Sequence, residues 1–517
     1  MSQLQTFFVT TPIYYVNDRP HIGHVYTTVA ADVMARFNRL DGKEVFFLTG
    51  SDEHGQKVER SAEARGIAPI ALADEVVAEY ASLWERFEIS FDRFIRTTEP
   101  GHKEAVKAIF QRLTASGTLY KGSYEDWYCT PCESFWTETQ IRNGLCPDCA
   151  RPVERLAEES YFFALSRYTQ PLIDHIESHP EFIGPESRRN EVLAFLKNEE
   201  GLRDLSVSRT GFTWGIPVPG DDKHLIYVWI DALTNYLSAL GYPDQEGSMG
   251  RFWPPSLHLI GKDILRFHAI YWPAMLMAAD LPLPKRLYAH GWWTVEGEKM
   301  SKSKGNVVRP DDLLAKYPPD VIRYFMLRDV PFGGDGDYSQ ASLDMRYTTE
   351  LANDLGNLAQ RVLSMAVKQF GGIPSRSQAM ENDEAALLAT LLRSRDEVRA
   401  QIEVQAFHKA LGAIWQVVGE ANRFIDATAP WALAKQADQR GRLAGVLLSA
   451  METIRGVAIL LLPFMPTMAG KILQQMGEEI PDTRRGSCAG LDLLVGEPRL
   501  SQGKTLDKPV GVFPRLG

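Results

Sequence analysis

Cysteine is scarce in this chain, with five residues in 517. Four of them fall in two C-x-x-C pairs and Cys488 stands alone. That pattern fits a reducing cytosol and a metal site better than a disulfide framework. Long apolar runs are also missing. The longest strongly apolar run, Val457 to Pro466, contains proline and is too short to cross a bilayer, so no membrane span is expected. The N-terminal Met1-Ser2-Gln3-Leu4-Gln5 has no basic stretch, which speaks against a secretory leader and for a cytoplasmic protein. Positive charge is in deficit, since 56 Lys+Arg face 66 Asp+Glu for a net of −10. The deficit is uneven. Residues 346–517 carry 20 basic against 18 acidic side chains, a net of +2, and the remainder carries −12. Nucleic acid needs a local basic patch rather than a basic total, so the C-terminal third permits RNA binding without demonstrating it. No internal repeat or low-complexity tract occurs.

The composition that remains is that of a globular protein, 44% hydrophobic and 24% charged. Its length predicts about three or four domains of roughly 100–200 residues each. Residues 5–13 read as a buried strand ended by proline, and a helix is expected from near His21 to about Leu40. Its Val25, Val29, Val33 and Phe37 would form one buried stripe. Val45–Thr49 is the next strand, giving a strand–helix–strand unit and hence a parallel sheet. Further strands are expected at Leu225–Ile230, Leu257–Ile260 and Arg286–Ala289, with a helical segment at 263–278. Residues 119–222 hold the paired cysteines and show little strand–helix alternation, so they read as an insertion. From about 346 onward helices dominate, at 347–370, 384–402, 405–425, 430–437 and 441–462. The expected division is therefore 1–118 and 223–285 for the two halves of an α/β domain, 119–222 for the insertion, 286–345 for a linking domain and 346–517 for an all-α domain.

Three motifs carry chemistry. His21-Ile22-Gly23-His24 places two imidazoles three residues apart at a helix start. Free N–H groups and the helix dipole there favour anions, and Gly23 lets a flat base approach the backbone. By itself the pair is equally compatible with two surface histidines. Lys299-Met300-Ser301-Lys302-Ser303, followed by Lys304-Gly305, is a basic loop able to close on a triphosphate and stabilise charge on leaving pyrophosphate. Its bland alternative is a solvated basic loop. Cys129-x-x-Cys132 and Cys146-x-x-Cys149 are separated by residues 133–145 and suit one tetrahedral zinc ion, with a redox pair as the alternative. Four thiolates leave no open position, so such a zinc is structural.

The ordered HIGH and KMSKS segments resemble class I aminoacyl-tRNA synthetases. Thr11–Asn17 (TPIYYVN), Thr49–Gly55 (TGSDEHG), Tyr227–Ala232 (YVWIDA), Gly261–Ile264 (GKDI), Asn357–Arg361 (NLAQR) and Ala429–Trp431 (APW) are similar to the methionyl-tRNA synthetase family. The resemblance implies a parallel Rossmann-like nucleotide-binding domain with a zinc-knuckle insertion and a C-terminal helical anticodon-binding domain. It implies ATP with Mg2+, L-methionine and methionine tRNA, initiator and elongator, as ligands, and ATP-dependent formation and transfer of methionyl-adenylate as the reaction. His21, Gly23, His24, Gly261, Asp263, Lys299 and Lys302 would handle ATP, and of these His21, His24, Lys299 and Lys302 would be catalytic, Lys302 foremost and Lys299 next. Asp52 would bind the methionine ammonium. Ile13, Tyr15, Trp229, Ala232, Leu233, Tyr236, Ile264, His268 and Trp272 would form the thioether pocket, where a tyrosine hydroxyl at sulfur would mark it from a plain alkyl chain. Arg209 would lie near the site, and Asn357, Arg361 and Trp431 would read the anticodon. Trp229, Tyr236, Trp272 and Trp431, taken singly, equally suit packing. Some relatives carry a further C-terminal RNA-binding and dimerisation domain; the chain ends at Gly517, so a monomer is expected.

Two other functions fit part of the pattern. Another class I synthetase, for cysteine, valine or isoleucine, would share both motifs, although the chain is short for a large editing insertion. A non-catalytic tRNA-binding paralogue would use the helices alone and have no need of the histidines and lysines.

Overall fold

The computed structural model describes residues 5–17, 19–132, 134–136, 138, 140–141, 143–198, 201–295, 297–299, 307–488, 490–494 and 499–513. Its centre is a six-stranded sheet in the order Arg93–Arg96, Glu44–Asp52, Thr6–Tyr15, Leu257–Gly261, Leu287–His290, Ile183–Gly184. All five pairings are parallel. The strand order reverses between Thr6–Tyr15 and Leu257–Gly261, and a crevice opens outside the carboxyl ends at such a switch point. The register of the first two strands shifts between Thr10 and Ile13 and resumes with Tyr15 opposite Asp52. Pro12 lies in that interval and has no N–H to give the ladder. The resulting bulge turns the strand end toward the crevice.

The helix Ile22–Leu40 is buried nearly all round rather than along one stripe, and Asp32, Arg36 and Arg39 are buried with it. Its outer face is covered by the helix Pro319–Arg328 and by C-terminal segments. Asp32 accepts from Arg36 at 2.8 Å, pairs with Arg323 at 2.7 Å and takes the N–H and hydroxyl of Ser90 at 2.6 Å. Those donors hold its carboxyl down at about 2 against the opposing effect of burial. Arg323 in turn donates to the carbonyls of Pro463 and Phe464. A lone charge at this depth would cost several kcal/mol, so the cluster fixes how the helix Ile22–Leu40 seats on the helical domain.

Several expected elements differ. The strand in this region is Asp221–Ile226, in a small antiparallel sheet with Pro217–Val218 and Ser208–Arg209, and Val228–Ser238 is a helix. A short apolar run such as Leu225–Ile230 has no period that separates strand from helix. The 263–278 segment starts as a 3-10 turn, Lys262–Ile264, and passes through a π turn, Phe267–Tyr271, before the α-helix Trp272–Ala278. The 119–222 stretch forms an antiparallel sheet around Leu119–Cys129 and Glu154–Phe163, but it also supplies the helices Thr169–Ser178 and Glu186–Leu196 and the central edge strand Ile183–Gly184.

The C-terminal region is helical: Asn357–Phe370, Asn382–Glu403, Phe407–Thr428, Arg440–Leu461 and Pro466–Gln475, the last unforeseen. Expected helix 430–437 is a single turn, Pro430–Leu433. By length and composition Ala437–Leu461 could cross a membrane, which the sequence reading did not anticipate, but its apolar window is 100% buried inside the protein, as in the central helix of a bundle.

Candidate active site

The crevice holds a cavity of about 1510 Å³. His21 and His24 stand on its wall, at the start of the helix Ile22–Leu40. His21 caps the helix: its Nδ1 accepts the Gly23 N–H at 3.1 Å, and His24 Nδ1 accepts the His21 N–H at 3.1 Å. The sequence suggested free backbone N–H groups here, but these two are taken by the imidazoles and the His24 N–H is taken by the His21 carbonyl. The rings stack with centroids 3.8 Å apart. Burial, reinforced by His21, pushes His24 well below the usual histidine range. A neutral ring whose Nδ1 accepts carries its proton on Nε2. The pair therefore presents Nε2–H donors rather than cations. A side chain on Gly23 would come within 2.9 Å of the His21 ring, so only glycine permits the stack.

Asp52 ends its strand at 3% exposure and lines the same cavity, as do Ile13, Tyr15, Trp229, Ala232, Leu233, Tyr236, Ile264 and His268. Trp229 is braced by Phe267, the rings stacked 3.5 Å apart at 10°. His268 Nδ1 lies 3.1 Å from the Ile264 carbonyl, which only accepts, so this nitrogen carries the proton. Its Nε2 then accepts the Tyr236 hydroxyl at 2.7 Å. Burial holds His268 at about 4, hence neutral. Tyr236 commits its proton to His268 and keeps oxygen lone pairs, which alters the simple picture of a hydroxyl donated to sulfur. Asp263, which also lines the cavity, accepts the Trp292 indole N–H at 3.2 Å, and Gly261 leaves room for that carboxylate, which a side chain would meet at 2.5 Å.

The four paired cysteines come together. Cys129 and Cys149 have sulfurs 3.5 Å apart, Cys132 and Cys146 3.7 Å, and all four lie within 4.8 Å of one another. Zinc–thiolate bonds of ~2.3 Å in a tetrahedron need sulfur–sulfur edges of ~3.8 Å. The donor set fits zinc, and the spacings are too long for disulfides. In the helical domain Asn357 and Arg361 are exposed one turn apart on Asn357–Phe370. Arg361 donates to Asn422 at 2.9 Å and approaches Asp426 at 3.5 Å. Both belong to the helix Phe407–Thr428, beyond which Ala429 turns the chain at φ 44° and presents Trp431 at 45% exposure.

A family model described as tRNA synthetases class I (M) matches residues 7–158 and 151–363, and one described as the anticodon binding domain of methionyl tRNA ligase matches residues 373–514. The methionine–tRNA ligase of Caldanaerobacter subterraneus subsp. tengcongensis is 52% identical over 513 residues, covering 99% of this chain and 79% of that one. That of Rickettsia bellii is 47% identical over 514 residues, 99% of each. The chain belongs to the methionyl-tRNA synthetase family of class I. The crystal structure of Mycobacterium tuberculosis methionyl-tRNA synthetase bound by methionyl-adenylate superposes with a TM-score of 0.93 at 45% identity, covering 99% of this chain and 100% of that one. The free form of the same enzyme gives 0.87 at 42%, covering 99% and 98%.

For this family member, not every expected residue reaches the cavity. Trp272 is fully buried behind Tyr236, ring centroids 5.9 Å apart, and is not on the cavity wall. Arg209 is buried between Tyr227 and Tyr128, its guanidinium 4.5 and 5.6 Å from their rings, and does not line the cavity either. Lys302 lies outside the described residues, as does the side chain of Lys299, although Lys299 is the backbone partner of Thr294 in the strand pair leading to the loop. His290 and Trp292 line the cavity and were missed. His290 ends the strand Leu287–His290, so the rule that ligands bind at carboxyl ends of parallel strands would have found it.

Proposed function

We propose that the cavity activates L-methionine with ATP and that the product is passed to methionine tRNA, initiator and elongator. A methionine carboxylate oxygen attacks the α-phosphorus, the bond to the β-phosphate bridging oxygen breaks, and pyrophosphate leaves. A ribose hydroxyl at the tRNA terminus then attacks the adenylate carbonyl and AMP leaves. No protein nucleophile is needed, so positioning and electrostatics carry the first step. His21 and His24 donate Nε2–H to phosphate oxygens, next to Gly23 and the base. Lys302 and Lys299 neutralise the leaving pyrophosphate, with Mg2+ accompanying ATP as substrate. Gly261 and Asp263 take the ribose side. Asp52 holds the ammonium, and Ile13, Tyr15, Trp229, Ala232, Leu233, Tyr236, Ile264 and His268 enclose the thioether, with Trp272 bracing Tyr236. Arg209 steadies the segment before the pocket helix. Zinc on Cys129, Cys132, Cys146 and Cys149 ties the insertion's hairpin, and Asn357, Arg361 and Trp431 take the anticodon.

The division at 1–118, 119–222, 223–285, 286–345 and 346–517 serves these tasks within one chain acting as a monomer, in the cytoplasm, where thiolates stay reduced. The observation that carries this reading is that a buried carboxylate, Asp52, and two neutral imidazole donors open onto one cavity. The test is ATP–pyrophosphate exchange run with each of the twenty amino acids. Only methionine is expected to support it; exchange driven by another amino acid, or by none, overturns the proposal.

A further inference from the structure

The structure assigns a positioning role to Asp231, which does not touch the cavity: through His54 it sets where Asp52 stands relative to the thioether pocket. This rests on the methionine reading above. Asp231 is 1% exposed, on the helix Val228–Ser238 that also carries Trp229, Ala232, Leu233 and Tyr236. Its Oδ2 accepts His54 Nδ1–H at 2.7 Å and its Oδ1 accepts His102 Nε2–H at 2.7 Å. His102 Nδ1 in turn meets the Ser238 hydroxyl at 2.7 Å, on the last residue of the same helix. Both carboxylate oxygens are thus engaged, and the helix is pinned near both ends. His54 stands two residues past Asp52, at 3% exposure, with its ring 5.5 Å from Trp214. The Trp214 indole donates to the Glu53 carbonyl at 2.5 Å, and the Gly55 N–H donates to the Trp214 carbonyl at 3.0 Å.

The segment bearing the ammonium anchor is therefore tied to the helix bearing the apolar pocket. The two come from different parts of the chain. A zwitterion with a side chain engages both ends at once only if their separation is held to a fraction of an ångström. A mainly structural hydrogen-bond cluster would support every ligand alike. A clamp on Asp52 supports only ligands that carry an ammonium group.

The experiment compares L-methionine with 4-(methylsulfanyl)butanoate, which keeps the carboxylate and thioether and lacks the ammonium. Both are measured by direct binding to the full-length protein. Asp231→Asn and His54→Ala should weaken methionine by about 10- to 100-fold, the usual weight of a hydrogen bond to a charged group. The desamino compound should shift less than about threefold on the same scale. His54→Asn, which retains an N–H near the Nδ1 position, should recover most of the methionine affinity. Equal weakening of both compounds, or no weakening of methionine, overturns the clamp. Should Asp231→Asn fail to fold, the His54→Ala and His54→Asn pair decides alone. Wild-type protein that binds no methionine would count against the proposed function, a result separate from loss of this selectivity.

Discussion

The crevice and the exposed face of the helical domain that carries Arg361 and Trp431 are built in opposite ways. In the crevice the polar groups are held by neighbours and their protons assigned: His21 and His24 accept backbone N–H groups, and the buried His268 orients Tyr236. On the helical domain Arg361 is held by an exposed ion pair with Asp426, worth at most ~1 kcal/mol, and Trp431 offers an open ring. A small ligand repays preorganisation of its site, because ordering side chains at the moment of binding subtracts directly from affinity. A single-stranded loop of RNA brings unstacked bases that a bare aromatic face and a few adjustable donors can take.

The contrast can be broken by separating the two regions' assays. The largest effect is expected from Lys302→Ala, which should slow methionine-dependent exchange by ~10²–10³-fold, the scale of losing one preorganised charge stabiliser, with methionine affinity nearly intact. An unchanged exchange rate would remove the loop from the mechanism. Trp431→Ala should lower tRNA charging by about 10- to 100-fold, the cost of one stacked base, and leave exchange alone; equal loss in both assays would make Trp431 a packing residue. Cys132→Ser should release a zinc ion otherwise found near one per chain by metal analysis and soften melting of the insertion, with a smaller effect on exchange than Lys302→Ala. Freshly purified reduced protein without zinc would refute the metal assignment.

The smallest expected change is thermal. His268 is held at about 4 in the fold, below its unfolded value near 6.5. A depressed histidine contributes stability that is present above the unfolded value and lost as pH falls toward the folded one. Melting temperature should thus fall between about pH 6.5 and 4, and His268→Gln should show a shallower fall. Parallel curves would mean that other groups dominate.

What the sequence revealed and what it hid follow from distance along the chain. The strand–helix–strand start, the histidine pair and the cysteine pairs were legible because their partners are neighbours in sequence or repeat at a helical or strand period. The long helices Asn357–Phe370, Asn382–Glu403, Phe407–Thr428 and Arg440–Leu461 were legible for the same reason. Leu225–Ile230 was misassigned because six apolar residues carry no period. Asp231 was invisible, since its partners His54 and His102 stand 177 and 129 positions away. His290, at a strand end, was readable only once the parallel order was known. Which imidazole nitrogen carries the proton on His21, His24 or His268 follows from partners that no sequence pattern names.

The most direct measurement is a crystal structure of the full chain with methionine and a non-hydrolysable ATP analogue. The account predicts the Nε2 atoms of His21 and His24 and the Nζ of Lys302 within about 3 Å of oxygens on the same triphosphate, with the ammonium on Asp52. A nucleotide bound away from the histidines, or lysines seated on a different surface, would contradict it.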